Sequence, residues 1–296
     1  MNKVVSVIGG DLRIVKLVEL LVEDDFKVYA YGIENSEDLP EGNSNFIKCD
    51  SVKQAVDSAD IILGPMPLSV DRKNLSAPFS EEKIQITDVV DEMSHKNKTF
   101  IAGKITDDVA EKLQAGSITY IDLLKREELV VLNTISTAEG TIQLAMEETQ
   151  KTIHGSKILV MGFGRVGKVL AKMLDGIGAK VSCEARKDSD IAWIKAYGYT
   201  PVHLSELENT LGDYDIIINT IPFLILDENR LKYVKKDCTI IDLSSNPGGV
   251  NRVAARKLNL KVIWALSLPR KSCTTYISTI YSRNFISYFK RNIVSF

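Results

Sequence analysis

Short apolar runs recur along the chain, separated by segments with helical spacing. In the first half, VVSVIG (4–9), KVYAYG (27–32), ADIILG (59–64), ITDVVDE (86–92), TFIAG (99–103) and ITYIDL (118–123) read as β-strands. RIVKLVELLVED (13–24) reads as a helix between the first two. The second half restarts the pattern. KILVMG (157–162), KVSCEA (180–185), YDIIINTI (214–221), CTIIDLSS (238–245) and LKVIWAL (260–266) are expected strands, and GRVGKVLAKMLDGIG (164–178) a helix. Such alternation predicts parallel sheets covered by helices.

Between the halves, Ser136 and Glu139 match the S-x-x-E capping box, and Ala138, Ile142, Ala145 and Met146 follow at helical spacing. The pattern predicts one helix over 137–150 that links two domains. The fold class is therefore α/β: two Rossmann-like lobes, each a mostly parallel sheet flanked by helices, with a cleft between them. Residues 1–136 form the expected substrate-side domain, joined by the C-terminal segment 273–296. Residues 137–272 form the expected dinucleotide-binding domain, which includes the linking helix.

MGFGRVGKV (161–169) fits two phosphate-binding patterns. A P-loop needs Ser or Thr after its lysine to hold magnesium, and Val169 cannot do so; Asp242 would be a lone metal-holding acid. The dinucleotide reading fits better, because the glycines follow an apolar strand and open an amphipathic helix. Gly162 allows a tight turn, Gly164 lets the backbone approach a diphosphate, and Gly167 lets helix and strand pack closely. Helix N-terminal amides and the helix dipole then favour the phosphates. The expected cofactor-binding residues are Gly162, Phe163, Gly164, Arg165, Val166 and Gly167. Thr220, Ile221 and Pro222 of NTIP join them against the nicotinamide and ribose. Lys168 reads as a solvated charge.

The end of the second strand of this unit decides between NAD and NADP. If that strand ends at Ala185, Arg186 and Lys187 meet the ribose, and their charge favours NADP. By alternation Glu184 points away from the face shared by Val181, Cys183 and Ala185.

Composition removes several other classes. The chain has 296 residues, 45% hydrophobic and 26% charged, with a formal net charge of −2. That balance gives no reason to expect a nucleic-acid partner. The four cysteines lie far apart without a C-x-x-C pair, which argues against a metal site or disulfide framework and suits a reducing cytoplasm. No apolar run approaches the roughly 20 residues of a membrane span, and the first apolar run ends at Gly9, Gly10 and Asp11 as a strand does. From Ser267 to Phe296 there is no acidic residue, while Arg270, Lys271, Arg283, Lys290 and Arg291 are present.

STAEGTIQLAMEE, IHGSKILVMGFGRVGK, EARK, NTIP, DLSSNPGG and ALSLP, in that order, resemble the A-subunit family of dipicolinate synthases. The likeness runs from GGDLR near the start to about Pro269 and is more specific in the second half. It implies an NADP-dependent oxidation of a dihydrodipicolinate to pyridine-2,6-dicarboxylate, a branch of the lysine pathway used in bacterial sporulation. It also implies a partner, the flavoprotein-like B subunit of such synthases, and an oligomer is expected. After ALSLP the chain departs from the family pattern, with Arg270 where glycine is usual. A shifted reading frame near Arg270 would produce both this change and the loss of acids.

A dicarboxylate substrate calls for cations or amide N–H groups at strand ends. The candidates are Gly10 and Arg13 in GGDLR, Thr137 at the start of the linking helix, and Ser244 and Ser245 in SSNPGG. Gly9 and Gly10 are expected to offer backbone N–H groups, and GPMP (64–67) to shape a wall. Asp11 reads as a helix cap, and Arg13 could equally pair with an acid of its own lobe. No catalytic acid or base stands out: His154 precedes a strand, His203 falls in a loop, and His95 lies in a polar segment. Two other readings remain, an alanine- or shikimate-dehydrogenase-like oxidoreductase and a non-catalytic dinucleotide-binding subunit.

Overall fold

The computed structural model describes residues 3–265. The expectations for the basic tail and for a return of 273–296 to the first domain lie outside the described residues. The chain divides into two compact units, with the boundary between Val130 and Val131.

The first unit runs β1 (Val4–Ile8), α1 (Leu12–Glu23), β2 (Lys27–Tyr31), β3 (Phe46–Lys48), α2 (Val52–Ser58), β4 (Ile61–Leu63), α3 (Ile86–Met93), β5 (Thr99–Ala102), α4 (Asp107–Ala115) and β6 (Thr119–Asp122). All pairings are parallel, in the order β3-β2-β1-β4-β5-β6. Val5 and Val7 pack with the buried stripe of α1, while Ile8 and Ile62 pack with α2, α3 and α4 on the other face. Burial on both faces is why these strands are near-continuous apolar runs. The segment ITDVVDE is a helix rather than the expected strand. Ile86, Val89, Val90 and Met93 are its buried residues, and their spacing has the helical period.

A helix, α5 (Glu127–Glu148), follows. It begins ten residues before the expected start at 137. Glu127 and Glu128 occupy its first turn, where the helix dipole favours acids. Ser136 is therefore a buried mid-helix residue and not a cap. Leu129 belongs to the first unit's core, and Ala138, Ile142 and Ala145 to the second unit's. Met146, expected on the same stripe, is 52% exposed.

The second unit runs β7 (Lys157–Met161), α6 (Arg165–Gly176), β8 (Lys180–Ala185), α7 (Asp188–Ala196), β9 (Thr200–His203), α8 (Leu207–Thr210), β10 (Ile216–Asn219), α9 (Glu228–Leu231), β11 (Thr239–Asp242), α10 (Arg252–Lys257) and β12 (Lys261–Trp264). Its sheet is also all parallel, in the order β12-β11-β10-β7-β8-β9. Ile158, Val160, Ile216, Ile218 and Ile241 fill one face, and Leu159, Met161, Ile217 and Ile240 the other. This is the strand order of dinucleotide-binding sheets, with the switch point where β7 and β10 lie side by side.

Candidate functional site

The end of β7 turns into α6 through three glycines with different geometry. Gly162 has φ +90°, and a Cβ there would lie 2.6 Å from Thr220 Oγ1. A Cβ on Gly167 would lie 2.0 Å from the Gly162 carbonyl oxygen, so that contact between helix and strand needs glycine. Around Gly164 nothing lies within 4 Å of a Cβ position. Gly164 is the N-cap of the twelve-residue α6 and provides no side-chain cap. The helix offers no acceptor of its own for first-turn amides such as those of Val166 and Gly167. A bare helix N-terminus facing open space suits a diphosphate.

The end of β10 is tied to this turn. Thr220 donates its hydroxyl to the Met161 carbonyl oxygen at 2.9 Å, and its amide donates to the same oxygen at 3.0 Å. Asn219, fully buried, donates to Asp242 Oδ1 at 2.8 Å and to the Ile221 carbonyl at 3.0 Å, and accepts from the Ile221 amide at 3.1 Å. Asp242, at the end of β11, is no isolated metal-holding acid. Its Oδ1 also accepts from the Ser244 amide at 3.1 Å and hydroxyl at 2.6 Å, and its Oδ2 from the Gly249 amide at 2.9 Å. The knot fixes NTIP and SSNPGG against each other. It also commits the hydroxyl of buried Ser244, while Ser245 stays exposed. Trp264 closes the far side by donating to the Ser244 carbonyl at 2.9 Å.

On the other side of the glycine turn, β8 ends at Ala185, and Arg186 and Lys187 follow at once as exposed residues. Glu184 folds under the turn instead, accepting the Gly162 amide at 3.1 Å while only 2% exposed. Burial pushes its carboxyl above the usual range, against the Gly162 amide and the charges of Arg230, His203 and Arg186. His203 is not in a loop: it is the last residue of β9, level with Ala185 across the ladder.

In the first unit the glycine turn is spoken for. Gly9 donates its amide to the Tyr31 carbonyl at 2.8 Å, and Gly10 donates to the Ser76 carbonyl at 2.9 Å. The N–H groups expected to face a substrate thus hold the chain itself, and a Cβ on Gly9 would lie 3.2 Å from Ala77 Cβ. Asp11 caps α1 through the Arg13 amide. The Arg13 guanidinium pairs with Asp11 at 2.8 Å and donates to the Met66 carbonyl of GPMP. Thr137 lies inside α5, its hydroxyl 3.5 Å from the Asn133 carbonyl, so it presents no N-terminal amides.

Two family models match the chain. The N-terminal domain of the dipicolinate synthase A subunit covers residues 4–124, and the NAD-binding domain of D-isomer specific 2-hydroxyacid dehydrogenases covers 130–247. The A subunit of dipicolinate synthase from Bacillus subtilis (strain 168) is 33% identical over 270 residues, spanning 90% of this chain and 88% of that protein. The chain belongs to the A-subunit family of dipicolinate synthases. Solved members align along nearly the whole length. The crystal structure of the Bacillus subtilis member gives a TM-score of 0.85 at 28% identity, covering 98% of this chain and 97% of that one. The Bacillus halodurans member gives 0.83 at 28% identity, covering 97% of each chain.

As a member of this family, the chain carries a dehydrogenase-type second unit that binds a nicotinamide dinucleotide. The family's name, that of one subunit, implies a partner in a complex. Among the described residues no helix is long and apolar enough to cross a membrane. The glycine turn, NTIP and Arg186–Lys187 stand at the ends of β7, β10 and β8, where the sequence placed them. Sequence reasoning missed the Asn219–Asp242 knot, the Glu184 contact and the place of His203. An acid closing an apolar strand was the available sign for Asp242; the four-residue TPVH was too short to read as a strand.

Proposed function

We propose that the chain is the NADP-dependent subunit that oxidises a dihydrodipicolinate to pyridine-2,6-dicarboxylate in the cytoplasm of a sporulating bacterium. A flavoprotein-like B subunit is its partner. The observation that carries this reading is the open glycine turn at the β7–α6 junction, in a chain of this family. The preference for NADP rests on Arg186 and Lys187 following the end of β8, where a ribose 2′-phosphate would meet two cations. When bound, the nicotinamide supplies hydride acceptance.

The protein's share is positioning, since the aromatic ring of the product is its own driving force. Val166 and Gly167 at the start of α6 direct amides at the diphosphate. Gly162 and Thr220 bring NTIP close beside it, so that Ile221 and Pro222 flank the nicotinamide. Phe163, buried behind the turn, and Arg165, opening the helix, complete the cofactor contacts. Of the dicarboxylate candidates, Ser245 follows β11 as an exposed residue, while the Gly10 amide, the Arg13 guanidinium and the Thr137 and Ser244 hydroxyls are engaged within the chain and act by shape or by the charge they keep.

The test is turnover. Purified protein is mixed with dihydrodipicolinate and NADP⁺, with and without a flavoprotein B subunit. Reduced nicotinamide absorbance rising together with dipicolinate is the expected result. Cofactor binding without turnover in either mixture would overturn the proposal, leaving a non-catalytic protein that only binds the dinucleotide.

A further inference from the structure

We propose that His203 is a positioning residue that gives this chain its preference for a 2′-phosphorylated dinucleotide, acting through the backbone of Arg186. The inference rests on the NADP reading above.

Three observations carry it. The ladder pairs Ala185 with His203, so the imidazole stands at the same sheet edge as the turn that leaves β8. Its Nδ1 accepts the Ser205 amide at 3.3 Å and lies 2.7 Å from the Ser205 hydroxyl. A ring nitrogen that accepts an amide N–H carries no proton, so the proton of the neutral ring resides on Nε2. Nε2 lies 3.2 Å from the Arg186 carbonyl oxygen and donates to it. Both ring nitrogens are thereby spent on main chain or a neighbouring hydroxyl, and the ring is a strut between the ends of β8 and β9.

The strut holds one side of a short turn whose other side is already fixed. Lys187 caps α7, and its carbonyl accepts the Asp190 and Ile191 amides, each at 3.0 Å. Arg186 is the residue between these two anchors, and its side chain is exposed. With its carbonyl free, the Arg186 peptide could rotate and carry the guanidinium away from the ribose. With the carbonyl held by His203, the Cα–Cβ bond of Arg186 keeps one direction, and the guanidinium starts from beside the ribose. Preorganisation of this kind favours the ligand that the guanidinium touches and leaves other ligands alone. NADP and NAD differ only in that phosphate.

The experiment compares His203→Gln, His203→Asn and His203→Ala with the unaltered full chain. Dissociation constants are measured for NADP⁺, NAD⁺ and adenosine 2′,5′-bisphosphate, with thermal unfolding as a check on the fold. A glutamine amide N–H reaches the position of Nε2 and restores the tie to Arg186. An asparagine reaches only the position of Nδ1, so it keeps an acceptor for Ser205 and loses the tie. His203→Asn and His203→Ala should each weaken NADP⁺ and the bisphosphate about tenfold, with NAD⁺ within about twofold of the unaltered chain. His203→Gln should recover most of the loss. Equal weakening of NADP⁺ and NAD⁺, an unchanged preference in His203→Asn, or a glutamine variant no better than asparagine would each overturn the inference. An unaltered chain that binds NAD⁺ as tightly as NADP⁺ would instead sink the cofactor assignment on which it rests.

Discussion

Gly164 and Gly167 sit three residues apart on one turn, yet alanine should do opposite things at the two positions. At Gly167 the new methyl would meet the Gly162 carbonyl oxygen at 2.0 Å, whereas ordinary contact begins at 3.4 Å, a deficit of 1.4 Å. That oxygen belongs to the backbone at the end of β7, so relief requires moving α6 bodily off the sheet. Overpacking of this kind costs about 1–3 kcal/mol or more. For chains of this size each kcal/mol lowers Tm by roughly 2–4 °C, so the second unit should melt several degrees early. At Gly164 nothing lies within 4 Å, and its φ of −81° and ψ of −163° suit alanine. Stability should change by less than ~1 kcal/mol there, because a weaker cap is offset by a less flexible unfolded chain. The same methyl, however, would stand where the proposed function brings the diphosphate to the backbone. NADP⁺ affinity should fall at least tenfold, about 1.4 kcal/mol. Circular dichroism melts and calorimetric titration of both variants read the two effects separately. A Gly164→Ala protein that melts normally and binds NADP⁺ with unaltered affinity would place the diphosphate elsewhere and refute the reasoning.

Three acids, buried Glu184 and Asp242 and half-buried Asp215, offer more tests. Burial holds the Glu184 carboxyl above its ordinary range, so the folded chain binds that proton more tightly than the unfolded one. Its contribution to stability is then full below the unfolded value of about 4.3 and is lost as pH rises through the folded value. Glu184→Gln keeps an oxygen for the Gly162 amide and carries no charge; its Tm advantage should widen with rising pH, and a pH-independent difference would contradict this. Asp215 behaves in the other sense. Burial alone would raise it, but Lys151 at 2.6 Å, Lys235 at 2.8 Å and the Lys157 amide at 2.9 Å hold its carboxyl well below the usual range. The stability it brings is present above about pH 3.9 and lost as pH falls through the depressed value. Asp215→Asn should therefore melt lower than the unaltered chain at neutral pH, with the gap closing in acid. Asp242→Ala should cost about 2–4 kcal/mol in urea titrations, because buried donors of Asn219, Ser244 and Gly249 lose their acceptor. A loss below ~1 kcal/mol would mean the knot is not structural.

The central strands were legible because sheets buried on both faces write themselves as unbroken apolar runs, as in KILVM and DIIIN. Two of the edge strands, FIK and TPVH, were not: FIK is three residues long, and TPVH breaks its apolar pattern with Pro201. ITDVVDE misled because its adjacent valines have strand character, while the wider spacing from Ile86 to Met93 is helical. Ser136 and Glu139 form a faithful capping motif in a place where α5 had already begun, since tertiary packing of Leu129 extends the helix upstream. The glycine turn was readable because Gly162 and Gly167 answer local steric demands. The Asn219–Asp242 knot was not, because it joins residues from separate strands, and only the folded sheet brings them within reach.

The two halves of this polypeptide share one winding plan, but in the first the amide of Gly10 is consumed by the carbonyl of Ser76, a later segment of the same chain. Repeating a topology therefore did not repeat its occupancy: one plug, residues 76–77, shuts one doorway and leaves its counterpart ajar. Each polypeptide should accordingly count a single nucleotide, however alike its sheets look on paper.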